Sequence, residues 1–335
     1  MSKGFETILP FLRPIEHLIT DDAISEIMVN GSDRVFIEKN GFLEQAEGIS
    51  IGDRALMVAV KNIARRLGND ISEANPILDS RLPDGSRVAA VIPPCSLGGV
   101  TLTIRKFNTR HFKMEDLIRT GTLDQRLANR LEDYVLSRKN ILISGGTGTG
   151  KSTTLGILAK FIPEEERILL IEDTAEIHLD HPNLVRFEAR REQTGVHPVP
   201  IRDLLKAALR HRPDRLLLGE VRGSEAFELL QLLNPGHSGT LSTIHANSAM
   251  QGLARFTSCV LESGVELPYR AIKTNIADSL NAVVHIERRP GSRFISEVVE
   301  LHSYDPDADL FKHSAVFHKE EANPWARLSL ERRRP

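Results

Sequence analysis

The sequence predicts an α/β protein in two parts: a smaller α+β N-terminal domain, then a larger domain built on a largely parallel sheet. Three observations predict it. Past residue 113, short and almost wholly apolar runs alternate with helical stretches, the pattern of parallel strands covered on both faces. One such run leads through a glycine-rich turn straight into a helix. The first hundred residues instead carry hairpin and meander signals around a single amphipathic helix, and 335 residues suit two domains better than one.

In the first part, Arg34–Lys39 and Phe42–Gln45 flank Asn40-Gly41, a pair suited to the left-handed positions of a two-residue hairpin turn. Asp53 to Leu67 places Leu56, Val60, Ile63, Ala64 and Leu67 on one helical face and stops at Gly68. Strand-like runs follow at Arg87–Ile92 and Val100–Phe107. The polar, basic stretch 108–113 reads as a linker between a domain at 1–107 and one at 114–315. Within the second domain the apolar strands are Ile141–Ser144, Arg167–Ile171, Arg215–Leu218, Leu241–Ile244 and Ala282–Ile286. Residues 316–335 read as a poorly packed tail.

Composition removes several classes of function. Lys+Arg 43 against Asp+Glu 45 gives a formal charge of -2, so nothing drives the chain globally toward nucleic acid or an anionic membrane. With 5% aromatic residues there are few platforms for stacking bases. Cys95 and Cys259 stand far apart with no metal-ligand spacing, which points to two reduced thiols. No run approaches the roughly 18 apolar residues of a membrane helix, and residues 1–13 lack a signal-peptide core. A cytoplasmic protein is expected, peripheral to a membrane only through partners.

Gly145-Gly146-Thr147-Gly148-Thr149-Gly150-Lys151-Ser152 is a complete GxxxxGK[ST] motif between a strand and the helical run Thr153–Phe161. Glycines let backbone N–H groups converge on phosphate oxygens without side-chain clash. Gly146, Thr147, Gly148, Thr149, Gly150, Lys151, Ser152 and Thr153 are therefore the expected nucleotide cradle, with Lys151 neutralising β/γ oxygens and Ser152 ligating Mg²⁺. ATP and Mg²⁺ are the expected cofactors. Hydrolysis also needs a carboxylate and a water-orienting group beyond the strand ends. Glu172, Asp173 and Glu176 follow one apolar strand, and Glu220 follows another. Glu220, Glu176 and Asp173 are the stronger candidates, Glu220 and Asp173 also as Mg²⁺ ligands, although acids after strands are common as solvated charges. Alternation turns Glu172 away from the site. His245 ends the run Leu241–Ile244 and either senses the γ-phosphate or is simply a satisfied histidine. His178 and His181 lack the further ligands of a metal site.

These motifs resemble, in order, four signatures of the secretion ATPase superfamily, the motors of type II and type IV secretion, pilus assembly and conjugal transfer. Gly145–Ser152 stands as Walker A, Ile171–Glu176 as the Asp box, Leu216–Gly223 as an atypical Walker B, and Gly236-His237 through Asn247 as the His box. Leu82–Arg87 and Thr103–Phe107 extend the resemblance into the first part, so that it covers about 20–300. The compact length and the absence of a tetra-cysteine domain make the chain most similar to TrbB-type conjugal transfer and type IV secretion ATPases. The resemblance implies a RecA-like P-loop NTPase domain and a homo-oligomer, a hexameric ring docked on inner-membrane components of a secretion or conjugation apparatus. It also implies catalytic roles for Glu176 and Glu220, and arginines of the first domain, Arg87 and Arg105, reaching phosphate. The departures are small: Thr149 replaces a usual serine, Pro235 and Ser238 replace a threonine and an acid, and Gly219 stands before Glu220 where other Walker B motifs have an acid. A RecA-like DNA translocase or helicase-type motor is the alternative that shares the same core. Direct nucleic-acid binding is not expected.

Overall fold

A computed structural model describes residues 6, 8–39, 41–107, 112–190, 197–233, 238–289 and 291–319. The chain divides into two compact units, Met1–Arg110 and His111–Pro335.

The first unit holds α1 (Glu16–Thr20), β1 (Ile24–Asn30), β2 (Val35–Lys39), β3 (Phe42–Gln45), α2 (Asp53–Arg66), β4 (Ile77–Arg81), β5 (Arg87–Val91) and β6 (Thr101–Arg105). Its six strands form one antiparallel sheet in the order β3-β2-β1-β6-β5-β4. The hairpin expected at residues 40 and 41 pairs Lys39 with Phe42, and Gly41 takes φ +85°; Asn40 lies outside the described residues. In α2 the apolar stripe Leu56, Ala59, Val60, Ile63 and Ala64 is buried, as its spacing requires. It joins Ile27, Val29, Val88, Leu102 and Ile104 in one core. Sequence reading missed β1 and β4, the latter running along the edge of the sheet with Ile77 exposed.

The second unit contains α3 (Met114–Arg119), α4 (Gln125–Leu136), β7 (Ile141–Gly145), α5 (Lys151–Ala159), β8 (Ile168–Glu172), β9 (Leu184–Glu188), α6 (Ile201–Ala208), β10 (Arg215–Val221), α7 (Glu225–Leu233), β11 (Leu241–His245), α8 (Ala249–Leu261), α9 (Tyr269–Ser279), β12 (Ala282–Arg289), β13 (Ser292–Asp305) and β14 (Leu310–His318). Among the described residues the sheet has eight strands in the order β14-β13-β12-β7-β11-β10-β8-β9. From β12 to β9 all neighbours are parallel; β13 and β14 add an antiparallel meander at one edge.

Strand alternation builds two cores, one on each face. Leu142, Leu169, Ile171, Leu216, Leu218 and Ile244 pack on one side with α6 to α9. Their neighbours Ile141, Ile143, Ile168, Leu170, Leu217 and Leu241 pack on the other with α3 to α5. Burial on both sides is why these strands read as unbroken apolar runs. This is the expected α/β architecture with a largely parallel sheet.

Two boundaries differ from expectation. Val316, Phe317 and His318 belong to β14, and Val316 and Phe317 pack on the core, so the segment read as a tail begins inside a strand. Residues 320–335 lie outside the described set. At the linker, Phe112 packs against the second unit's core and Lys113 is the N-cap of α3; residues 108–111 lie outside the described set.

Candidate nucleotide site

The glycine-rich turn joins β7 to α5 in the middle of the sheet. Gly145 has no room for a side chain: a Cβ there would come within 2.5 Å of the Ile286 carbonyl oxygen. Gly148 and Gly150 take φ +68° and +101°, left-handed conformations that glycine adopts without strain. Thr149 is buried and its Oγ1 donates to Gly146 O at 3.0 Å, so it braces the turn from inside. The N–H groups of Thr147, Gly148 and Gly150 find no acceptor among the described residues. A turn of outward-directed donors at a helix N-terminus is a site for phosphate.

Lys151 is buried, 7% exposed, and its Nζ folds back to donate to Gly146 O at 2.9 Å. It also lies 3.4 Å from His245 Nε2. Burial holds the Lys151 pKa below the ordinary lysine value; Glu220 pulls it back up while Arg222 pushes it further down. A cation kept in such surroundings gains from an anion placed beside it. Ser152 is half-buried in the first turn of α5, and Thr153 beside it is exposed.

Glu220 does not follow a strand end, as the sequence suggested. β10 continues to Val221 through a bulge: Leu218 pairs with Ser242 and Val221 with Ile244, so Gly219 and Glu220 both stand opposite Thr243. Thr243 Oγ1 donates to Gly219 O at 2.6 Å and pins the bulge. Bulges re-aim side chains, and this one presents Glu220 to the turn. Glu220 Oε2 accepts from Arg222 Nε at 2.8 Å. Glu220 Oε1 is buried and accepts no hydrogen bond, although His245 Nε2 approaches it to 2.9 Å. Register also sets His245 beside the turn, because it pairs directly with Gly145 across β11 and β7. Burial lowers the His245 pKa most; Glu220 raises it, and Lys151 and Arg222 lower it further.

Asp173 joins the group through Arg222, whose Nη1 lies 3.1 Å from its carboxylate. Glu176 is exposed, yet close enough for its charge to act on Lys151 and Arg222. Glu172 turns away, as alternation requires. It is 3% exposed, and its Oε1 accepts from the backbone N–H of both Glu176 and Ile177 at 2.8 Å. Its Oε2 accepts from Arg186 at 2.9 Å. Burial raises the Glu172 pKa, against the lowering by those hydrogen bonds. Its side chain also crosses Gly219, where a Cβ would meet Glu172 Cγ at 3.1 Å. A side chain at 219, where other Walker B motifs carry an acid, would therefore press on Glu172 and have to shift it by a few tenths of an ångström.

Beside the turn an open cleft of about 310 Å³ is lined by Gly146, His245, Ala246, Asn247, Gln251 and Arg255, within the size of small-molecule sites. Of the residues chosen from the sequence, His245 stands next to both Lys151 and Glu220, and Arg222 joins Asp173 to Glu220. The sequence reading missed Arg222, Thr243 and the bracing role of Glu172. Gly219 inside an apolar strand was the available signal for a bulge. Residues 234–237, which include the first two of the His box, lie outside the described set.

Arg87 and Arg105 lie in the first unit, directly opposite each other on β5 and β6. Arg87 forms a two-pronged pair with Asp79 at 2.8 and 2.6 Å, and Arg105 is exposed beside Glu26 of β1 in the pairing register. The turn Leu82–Arg87 is fitted to this strand end. Gly85 takes φ +94° under the Phe107 ring, and Ser86 Oγ accepts from Phe107 N at 2.8 Å. His181 spends both ring nitrogens locally, on Pro163 O and Asn183 N.

Residues 11–313 match the family model described as "Type II/IV secretion system protein". The VirB11 type IV secretion system protein of Bartonella henselae is 32% identical over 346 residues, 92% of this chain and 95% of that protein. The conjugal transfer protein TrbB of Rhizobium radiobacter is 32% identical over 290 residues, 85% and 86% of the two chains. In fold, the chain is similar to the Legionella pneumophila ATPase DotB, with a TM-score of 0.64 at 18% identity over 90% of this chain and 83% of that one. The chain belongs to the type II/IV secretion system protein family.

Proposed function

We propose that this chain hydrolyses ATP and works as one subunit of a homo-oligomeric ring, a hexamer by analogy with its family, that powers a type IV secretion or conjugal transfer apparatus from the cytoplasmic face of the inner membrane. The observation that carries the chemistry is the approach of three groups: buried Lys151, His245 and a Glu220 oxygen without a hydrogen bond, all at the mouth of a phosphate-type turn. Family membership supports the secretion role.

In this reading the N–H groups of the turn and Lys151 bind the phosphate chain. Glu220 takes up the proton of the attacking water, held in line by His245, and Glu176 shares or assumes that work. Ser152 and Glu220 are oxygen donors that fit Mg²⁺, whereas Asp173 is engaged by Arg222 and would act at one remove. Bound Mg²⁺ would supply charge neutralisation on the phosphate oxygens. Arg87 and Arg105 are proposed to add charge to the phosphates during turnover. Among the described residues no helix is long and apolar enough to cross a membrane, in keeping with attachment through partners.

The test is phosphate release by the purified chain with MgATP, and its loss in Glu220→Gln while nucleotide binding persists. The amide keeps shape but loses the charge, so kcat should fall about a hundredfold or more. Wild-type turnover by Glu220→Gln would remove Glu220 from the mechanism, and DNA-dependent turnover with a steep salt dependence would favour a nucleic-acid motor instead.

A further inference from the structure

Arg222 takes hold of one oxygen of Glu220 and leaves the other. An arginine facing a carboxylate commonly spreads two N–H groups over two oxygens. Here Nε and Nη2 both lie 2.8 Å from the same oxygen, Glu220 Oε2, while Nη1 reaches Asp173 Oδ2 at 3.1 Å. Glu220 Oε1 stays buried and accepts no hydrogen bond. The two oxygens of one carboxylate are thereby made different. The backbone that carries Arg222 is held from two sides. Its N–H and that of Gly223 donate to Oε1 of Glu225, the first residue of α7, at 2.6 and 2.9 Å. Its carbonyl accepts from Arg255 Nη2 of α8 at 3.1 Å. Arg222 is exposed, and pairs so exposed contribute little to stability. What this arrangement fixes is geometry.

We infer that Arg222 is a positioning residue for hydrolysis: it holds Glu220 by Oε2 so that Oε1 is the atom presented to the attacking water, an inference that rests on the nucleotide-site reading above. The terminal torsion of a glutamate is broad, so without a partner either oxygen could face the turn. With Oε2 engaged, Oε1 lies 2.9 Å from His245 Nε2, and His245 lines the open cleft beside the turn. In the step this serves, the water oxygen bonds to the terminal phosphorus and its proton passes to Oε1. The bond from that phosphorus to the bridging oxygen breaks, and ADP leaves with the electron pair. Asp173 is the second anchor of the guanidinium. Lysine would not do the same work, because a single ammonium cannot span both acids as a planar fork does. Arg222 acts through Glu220 and not on the phosphates, so its loss falls on kcat and not on nucleotide affinity.

The test is phosphate release by the full chain with MgATP, with ADP binding measured by calorimetry. It compares wild type, Arg222→Ala, Arg222→Lys, Glu220→Gln and the double variant Arg222→Ala/Glu220→Gln. Arg222→Ala should lower kcat about ten- to a hundredfold, the scale of a misplaced reacting group, with KM and ADP affinity unchanged. Arg222→Lys should recover only part of that loss. In the double variant, removing Arg222 should cost nothing beyond the loss in Glu220→Gln, because no base is left to aim. An equal further loss there would overturn the role, since Arg222 would then act independently of Glu220. ADP affinity that falls as far as kcat would overturn it in favour of a direct contact with phosphate. Undiminished kcat in Arg222→Ala beside an inactive Glu220→Gln would overturn it and leave Glu220 standing as the base. Wild-type turnover by Glu220→Gln, or a wild-type chain that releases no phosphate, would overturn the site reading and the positioning role together.

Discussion

Replacing Glu172, an acid outside the reacting groups, should both destabilise the second unit and slow turnover. Glu172→Ala removes the acceptor for two backbone N–H groups. The Ile177 N–H is buried and, left without a partner, costs about 1–3 kcal/mol; the Glu176 N–H is nearer solvent and costs about 0.5–1 kcal/mol. Loss of the Cγ methylene packed over Gly219 adds about 1 kcal/mol. Relief of the charge that burial disfavours gives part of this back. Arg186 keeps its second bond, to Ile177 O at 2.9 Å, and is partly exposed, so its stranded charge adds little. The net is about 3 kcal/mol, which for a unit of this size lowers the melting temperature by roughly 6–12 °C.

Glu172→Gln keeps one carbonyl oxygen for both N–H groups but turns its amide N–H toward Arg186, losing that hydrogen bond along with the charge, so about half that effect is expected. Because Glu172 fixes the backbone at 176, kcat should fall in Glu172→Ala while ADP affinity holds. Scanning calorimetry and phosphate release read the two effects. A melting temperature within about 2 °C of wild type with undiminished kcat would refute the bracing role. A Gln variant as damaged as the Ala variant would show that the pair with Arg186, not the backbone bonds, carries the stability.

Lys151→Ala should abolish ATP hydrolysis and weaken ADP binding by at least tenfold, checked by calorimetry alongside an unchanged circular dichroism spectrum, since its Nζ is the cation seated in the turn. Arg87→Ala and Arg105→Ala should each lower kcat more than affinity, with assembly monitored by light scattering; intact assemblies with undiminished kcat in both would remove the first unit from catalysis. His285 is buried against Ser144 Oγ at 2.8 Å and burial lowers its pKa, so the unfolded chain takes up the proton first. Stability should therefore decline as pH falls from about 6.5 through the folded pKa and be level above. His285→Gln should lose less in melting temperature than wild type between about pH 7.5 and about pH 5.5.

What could be read from the sequence was whatever is constrained within a few consecutive residues. The turn at Gly145–Ser152 is one such case: every demand on it, from left-handed glycines to the lysine at the helix start, falls inside eight positions. The central strands were legible for a similar reason, since burial on both faces leaves the runs Ile141–Ile143 and Ile168–Ile171 wholly apolar. β13 escaped because its burial is interrupted: charged Glu297 and Glu300 punctuate it, and no unbroken apolar run marks it as a strand. The aim of Glu220 escaped for a different reason. It depends on a bulge pinned by Thr243, 24 residues downstream, and on Glu172, 47 positions before Gly219, occupying the space above that glycine. Arg222 escaped likewise, because its value lies in joining Asp173 to Glu220 across two strands that pair only in the folded sheet. The candidate site thus has a binding half set by local sequence and a carboxylate half set by strand pairing. Substitutions at Gly219 or Thr243 should therefore impair hydrolysis while the glycine-rich turn, which touches neither, keeps its nucleotide.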